Sequence, residues 1–203
     1  MAELMAMLGG QNDGIYEETM RLFHDDRKII INQDITTDIL EDVILHILKW
    51  NKEDENLPVD KRKKIILYIA SDGGDVIAGN ALISTIQASA TPVVGVVFSV
   101  AASMASLILM SCHERVAFST SVVLIHDGSQ GVYSSANKAK DVMKFYEKLD
   151  NLSKELVISR TNITDEEFEE NKDREQYFLA AEAKDKGIID KIIGVDVPLS
   201  YIL

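Results

Sequence analysis

A serine and a histidine each stand at the end of a β-branched apolar run. Ser103 lies in the small-residue stretch that follows the run Val93 to Val100, and His126 follows Val122-Val123-Leu124-Ile125. A serine hydroxyl attacks a carbonyl only if a base takes its proton, and a neutral imidazole is such a base. Beyond Ser103 the chain reads Met104-Ala105-Ser106-Leu107-Ile108-Leu109-Met110, the pattern of a buried helix entered through a tight turn. The serine then lies at a helix N-terminus, where unpaired amides and the positive end of the helix dipole can stabilise an oxyanion. Taken singly, Ser103 reads as a capping or packing residue and His126 as a turn residue before Asp127-Gly128. A glycine-rich turn upstream joins them into a candidate nucleophile and base.

That turn, Ser71-Asp72-Gly73-Gly74-Asp75, closes the predicted strand Ile65 to Ala70 and opens a helix from Val76 to Ile86. Paired glycines after a strand let the backbone turn sharply and present amide N–H groups to a ligand. The turn lacks the Lys-Ser/Thr of a phosphate-binding P-loop and the spacing of a dinucleotide fingerprint.

The elements that must position these residues follow from periodicity. Residues 15–24 predict a helix and Lys28 to Ile31 a short strand. Thr36-Thr37 would cap an amphipathic helix whose apolar face is Ile39, Leu40, Val43, Ile44, Ile47 and Leu48. His46 lies among those apolar residues and reads as structural. Residues 51–64 are polar and predict a surface loop. The strands are nearly continuous apolar runs alternating with helices, which points to βα units with mostly parallel strands covered on both faces. Beyond His126, Ala136 to Arg160 reads as one long helix with Ala139, Val142, Met143, Tyr146, Leu149, Leu152 and Leu156 along one face. Either this face packs on its own domain or it finds a partner in another subunit. Thr164-Asp165-Glu166-Glu167 opens a short acidic helix by a capping-box pattern. A last helix from Ala180 stops at Gly187, and Ile188 to Ile193 predict the final strand.

With 203 residues the chain fits one α/β domain, expected over 15–203, behind an arm at 1–14 that ends in Gly9-Gly10-Gln11-Asn12-Asp13-Gly14. A net charge of −12 argues against nucleic acid and anionic membrane as partners. The single cysteine, Cys112, excludes an internal disulfide and agrees with a reducing cytoplasm, and its apolar surroundings predict a buried thiol. The first residues carry no basic region and too short an apolar run for a signal peptide or membrane span, so a cytoplasmic location is expected. The four histidines show no ligand spacing, so no metal is implied, and no cofactor is expected.

Read in order, Ser71-Asp72-Gly73-Gly74, Ala101-Ala102-Ser103-Met104-Ala105 and Leu124-Ile125-His126 resemble the proteolytic subunits of the Clp protease family. So do Asp173-Arg174-Glu175, Phe178 to Lys184 and Gly187-Ile188-Ile189-Asp190. The likeness runs from Ile15 to Ile193. It implies the α/β, ClpP/crotonase-like fold of repeated β-β-α-type turns, with a projecting long helix in a handle region at about 127–160. It also implies a serine endopeptidase with Ser103 as nucleophile, His126 as base, and backbone amides of Gly74 and Met104 as the oxyanion hole. The family's usual acid is aspartate. Here Glu175 stands at that place, with Asp173 as the competing acid. A second departure is Asp72, where the family commonly has proline.

The resemblance further implies stacked heptameric rings forming a homo-oligomeric tetradecamer, with the N-terminal arm around an axial pore. A separate hexameric AAA+ unfoldase would feed in unfolded polypeptides. Two alternative functions stand beside this one: an inactive or partner-dependent ring subunit, and a crotonase-like enzyme that binds acyl-CoA.

Overall fold

The computed structural model describes residues 17–18, 20–128 and 133–203. The expected arm at 1–14 and the start of the handle region at 129–132 lie outside the described residues. A seven-stranded sheet forms the centre, with strands β1 (Lys28–Ile31), β2 (Ile65–Ser71), β3 (Val93–Ala102), β4 (Glu114–Phe118), β5 (Val122–Ile125), β6 (Gln176–Leu179) and β7 (Lys191–Ile193). Its main path runs β1-β2-β3-β4-β7 and every pairing along it is parallel. Strand β2 is buried along nearly its whole length, which is why it reads as an unbroken apolar run.

Among the described residues, six helices pack into the larger core, on one face of the sheet. They are α1 (Leu45–Glu53), α2 (Val76–Ala88), α3 (Met104–Ser111), α4 (Ala136–Arg160), α5 (Asp165–Glu170) and α6 (Ala180–Asp185). The larger core joins Ile47, Leu82, Ile86, Ile108 and Leu109 to Leu67, Ile69 and Val97 of the sheet. The alternate residues Ile66, Tyr68, Val94, Val96 and Val116 form a second cluster with Ile193 and Ile202, and Phe23 and Tyr201 pack on it. Period-2 alternation therefore serves two apolar faces.

Strand β3 forks, and the fork is what builds the site. Its first half, Val94 to Val97, pairs with β4, and its end, Val100 to Ala102, pairs with β5. The hydroxyl of Ser121, a buried residue, donates to the carbonyls of Val97 and Phe98 at 2.7 and 3.2 Å. Those carbonyls lie where β3 leaves β4, and leaving them unpaired would cost about 1–3 kcal/mol each. Strand β6 then adds to β5 antiparallel.

The long helix α4 runs over the predicted residues, but only Leu149, Leu156 and Val157 along it are buried. Its C-terminal end is fastened: Arg160 donates to the carbonyls of Met110 and Cys112, and Arg115 donates to the carbonyl of Arg160. In its N-terminal half Val142, Met143 and Phe145 are exposed.

Three boundaries differ from the sequence reading. The helix after Thr36-Thr37 begins with a π turn, Leu40–Ile44, because Thr36 caps a local turn instead by accepting from the Asp38 amide. Helix α1 continues to Glu53, and Val59–Lys61 forms a 3-10 turn inside the expected loop. The final strand is shorter than predicted. The amides of Gly187 and Ile188 close the end of α6 on Lys184 and Ala183, the Asp190 amide makes a first contact with the Arg115 carbonyl at 2.8 Å, and the ladder starts at Lys191.

Candidate active site

One residue separates β3 from α3, and that residue is Ser103. Its φ of 53° and ψ of −124° lie where side-chain-bearing residues rarely go, at a cost of about 1–3 kcal/mol. The surroundings over-determine it. The Ser103 amide donates to the Leu124 carbonyl at 3.0 Å, and its own carbonyl accepts from the amide of Ser106 at 3.0 Å and the Ser106 hydroxyl at 2.7 Å. Gly73, at φ +107°, packs directly beneath: a Cβ there would meet Ser103 Cβ and the Ala102 carbonyl oxygen at 2.8 Å, and the Met104 nitrogen at 3.0 Å. Neither that conformation nor that closeness suits a residue other than glycine.

Gly74 extends the same turn. It bridges Ile35, whose amide donates to the Gly73 carbonyl at 2.7 Å and whose carbonyl accepts from the Asp75 amide at 2.8 Å. The bonds of this bridge use groups on either side of Gly74 and leave its own amide pointing the other way. Asp75 caps α2 by accepting from the Ala78 amide at 2.7 Å. Asp72 is exposed on the rim of the turn.

His126 reaches the same place through the fork. Ala102 is paired with Leu124, so Ser103 and His126 leave adjacent parallel strands at their carboxyl ends. That is where open α/β sheets place their ligands. Both residues line one cavity, together with Met104. Its walls are apolar, from Val76, Leu107, Ile125, Val157 and Phe168, and Asp127, Asp150, Lys154 and Lys172 contribute polar groups. The Nε2 atom of His126 is buried and makes no hydrogen bond among the described residues. A buried unpaired imidazole nitrogen is costly in a merely structural role, and it is what a base awaiting its proton requires.

The two carboxylates stand differently. Strand β6 pairs with β5 as Leu124 with Tyr177 and Ile125 with Gln176, so the next step of that register sets Glu175 across from His126. The ladder stops one step short, and neither Glu175 nor Asp173 lines the cavity. The Glu175 carboxylate accepts from the Tyr177 hydroxyl at 2.8 Å, and this bond raises the Tyr177 phenol above its ordinary pKa. Asp173 lies two residues farther back, in the turn after α5. Sequence reasoning passed over Tyr177 and Lys172. Tyr177 had a usable signal, since residues two apart on a strand share a face.

Cys112 is buried, and burial pushes its thiol up to about 12, so it is inert as a nucleophile. His46 is held by His24, Nε2 to Nδ1 at 2.8 Å, and by the Trp50 ring. Among the described residues no group of three or more His, Cys, Asp and Glu could hold a metal ion, and no helix is long and apolar enough to cross a membrane.

The Clp protease family model matches residues 11–196. The chain belongs to the Clp protease family. It is 32% identical over 191 residues to the ATP-dependent Clp protease proteolytic subunit 1 of Streptomyces coelicolor, covering 92% of this chain and 81% of that one. Subunit 3 of Streptomyces avermitilis is 32% identical over 190 residues, covering 91% and 80%. Subunit 3 of Rhodococcus jostii is 33% identical over 137 residues, covering 66% and 68%. The mostly parallel α/β architecture agrees with that membership.

Proposed function

We propose that in this ClpP-type serine peptidase Ser103 is the nucleophile, His126 the base and Glu175 the acid. The observation that carries the reading is the strained Ser103 turn sharing a cavity with an imidazole whose Nε2 is buried and unpartnered. In the first step Nε2 takes the Ser103 proton as Oγ bonds to the substrate carbonyl carbon. The carbonyl oxygen becomes an oxyanion, which the amides of Gly74 and Met104 are suited to hold. His126 then gives the proton to the leaving amine as the C–N bond breaks, and water releases the acyl group by the reverse sequence. Glu175 would accept from His126 Nδ1–H, holding the tautomer and balancing the imidazolium charge. The register across β5 and β6 supports Glu175 over Asp173, and the longer glutamate suits strands that part at this point.

The substrate is polypeptide in extended form, because only an unfolded chain can lie along strand ends. The family membership supports assembly into rings with a Clp ATPase, and the exposed apolar half of α4 supports a ring-to-ring contact that builds a tetradecamer. A hexameric AAA+ unfoldase and a cytoplasmic site complete the proposal. The site lies within 15–203, read as one peptidase domain.

Fluorophosphonate labelling followed by mass spectrometry tests the assignment on the assembled protein. Expected are one adduct on Ser103, its absence in Ser103→Ala and His126→Ala, and labelling slowed by roughly 10²-fold or more in Glu175→Ala. No adduct on the wild type, with a control peptidase labelled alongside, would instead mark an inactive or partner-dependent subunit. Full-rate labelling of Glu175→Ala with loss in Asp173→Ala would move the acid to Asp173.

A further inference from the structure

The Glu175 carboxylate has a neighbour that no part of the reaction above uses. Tyr177 lies opposite Leu124 in the β5–β6 register, two residues from Glu175, and extending that register by one step sets Glu175 across from His126. Its hydroxyl donates to Oε2 of Glu175 at 2.8 Å. A glutamate has three side-chain torsions, and a carboxylate at the end of them loses its aim unless something else holds it. An anionic carboxylate has two oxygens and can accept on both. Occupying Oε2 from the β6 side leaves Oε1 for a second donor.

We propose that Tyr177 is a positioning residue of the catalytic site, holding Oε2 of Glu175 so that Oε1 is presented to His126. This rests on the reading of Glu175 as the acid. Glu175 with Tyr177 then acts as one unit, the tyrosine supplying the fixed point that a shorter acid would not need. Tyr177 is 61% exposed, so water competes for the hydroxyl and the effect is moderate. Losing a hydrogen bond of this kind changes the rate by about three- to tenfold. The effect falls on kcat and leaves KM in place, because Tyr177 is absent from the cavity lining and the imidazolium forms only on the way to the transition state.

The experiment is a double-mutant cycle on assembled rings: wild type, Tyr177→Phe, Glu175→Gln and the double variant, each with kcat and KM on a fluorogenic peptide. Ring assembly is checked by light scattering. A kcat fall of about three- to tenfold for Tyr177→Phe, with no further fall when it is added to Glu175→Gln, supports the proposal. Equal falls in both backgrounds, an unchanged or raised kcat, or a change in KM alone overturns it. Glu175→Gln at the wild-type rate sinks the acid role of Glu175 and Tyr177's with it, and that single variant separates the two failures. Ultraviolet titration reads the contact without activity. The tyrosine signal absent from Tyr177→Phe should move to lower pH in Glu175→Gln, and no movement would also overturn the proposal.

Discussion

Replacing Gly73 by alanine tests whether the glycine turn holds Ser103, the proposed nucleophile, in place. The added Cβ would meet Ser103 Cβ and the Ala102 oxygen at 2.8 Å and the Met104 nitrogen at 3.0 Å, so atoms of the serine turn itself must move. An L side chain at a φ of +107° costs about 1–2 kcal/mol. Overpacking against backbone adds about 1–3 kcal/mol. Gly194 separates the two causes: its φ is +84°, and no atom lies within 4 Å of a Cβ built there. Gly194→Ala therefore carries the conformational cost alone. At about 2–4 °C per kcal/mol for a chain of this size, Gly194→Ala should lower Tm by about 2–8 °C and Gly73→Ala by about 4–20 °C.

The activity should separate the variants further. A 1 Å shift of a reacting atom costs on the order of 10²-fold, so Gly73→Ala should label with fluorophosphonate about that much more slowly. Gly194→Ala should label at the wild-type rate. Differential scanning fluorimetry and timed labelling, both on the assembled protein, supply the readings. Equal Tm losses in the two variants, together with wild-type labelling of Gly73→Ala, would refute the argument that this close approach sets the serine.

Two further predictions concern charge. Arg27 grips Asp54 through both guanidinium nitrogens, at 2.6 and 3.0 Å, and Thr91 donates to the same carboxylate. The Arg27 hydrogen bond holds the Asp54 carboxyl below the usual carboxylate range against the opposing effect of burial. Its stabilisation is therefore complete above about pH 4 and lost as pH falls through the depressed value. Asp54→Asn should cost about 3 kcal/mol at pH 7, measured by urea unfolding, and much less at pH 2. A loss independent of pH would refute the ion-pair account.

Burial pushes His46 below the ordinary imidazole value, His24 and Lys49 add to the fall, and Asp42 opposes it. The His24–His46 contact is then fully stable above about pH 6.5 and weakens as pH drops below it, because the detached imidazole takes the proton more readily. Hydrogen exchange in residues 20–25 should speed up between pH 7 and 5, after correction for intrinsic rates, and His46→Gln should remove that dependence. Identical corrected profiles would count against it.

That Ser103 and His126 stand at strand ends was legible because it is local. A strand ending in small residues and running into an apolar helix dictates that Ser103 sits at a helix N-terminus, and β-branched runs identify buried parallel strands without any partner being known. The Gly73-Gly74 turn announces itself for the same reason: only glycine tolerates those backbone angles and approaches. Tertiary structure decided what depends on pairing between distant segments. That Ser103 and His126 share a cavity follows from β3 changing partners at Ser121, and the strained φ of Ser103 exists because Leu124, Ser106 and Gly73 hold it from separate elements. The resemblance put Glu175 at the acid's place with Asp173 as its competitor, and the antiparallel register of β5 with β6, which no sequence pattern displays, pairs Ile125 with Gln176 and so brings the chain next to Glu175 alongside that next to His126. The final strand came out shorter because the amides of Gly187 and Ile188 are taken by the end of α6 before the chain reaches β4. Residue type and local spacing determine which groups can react; non-local hydrogen bonding decides which of them meet.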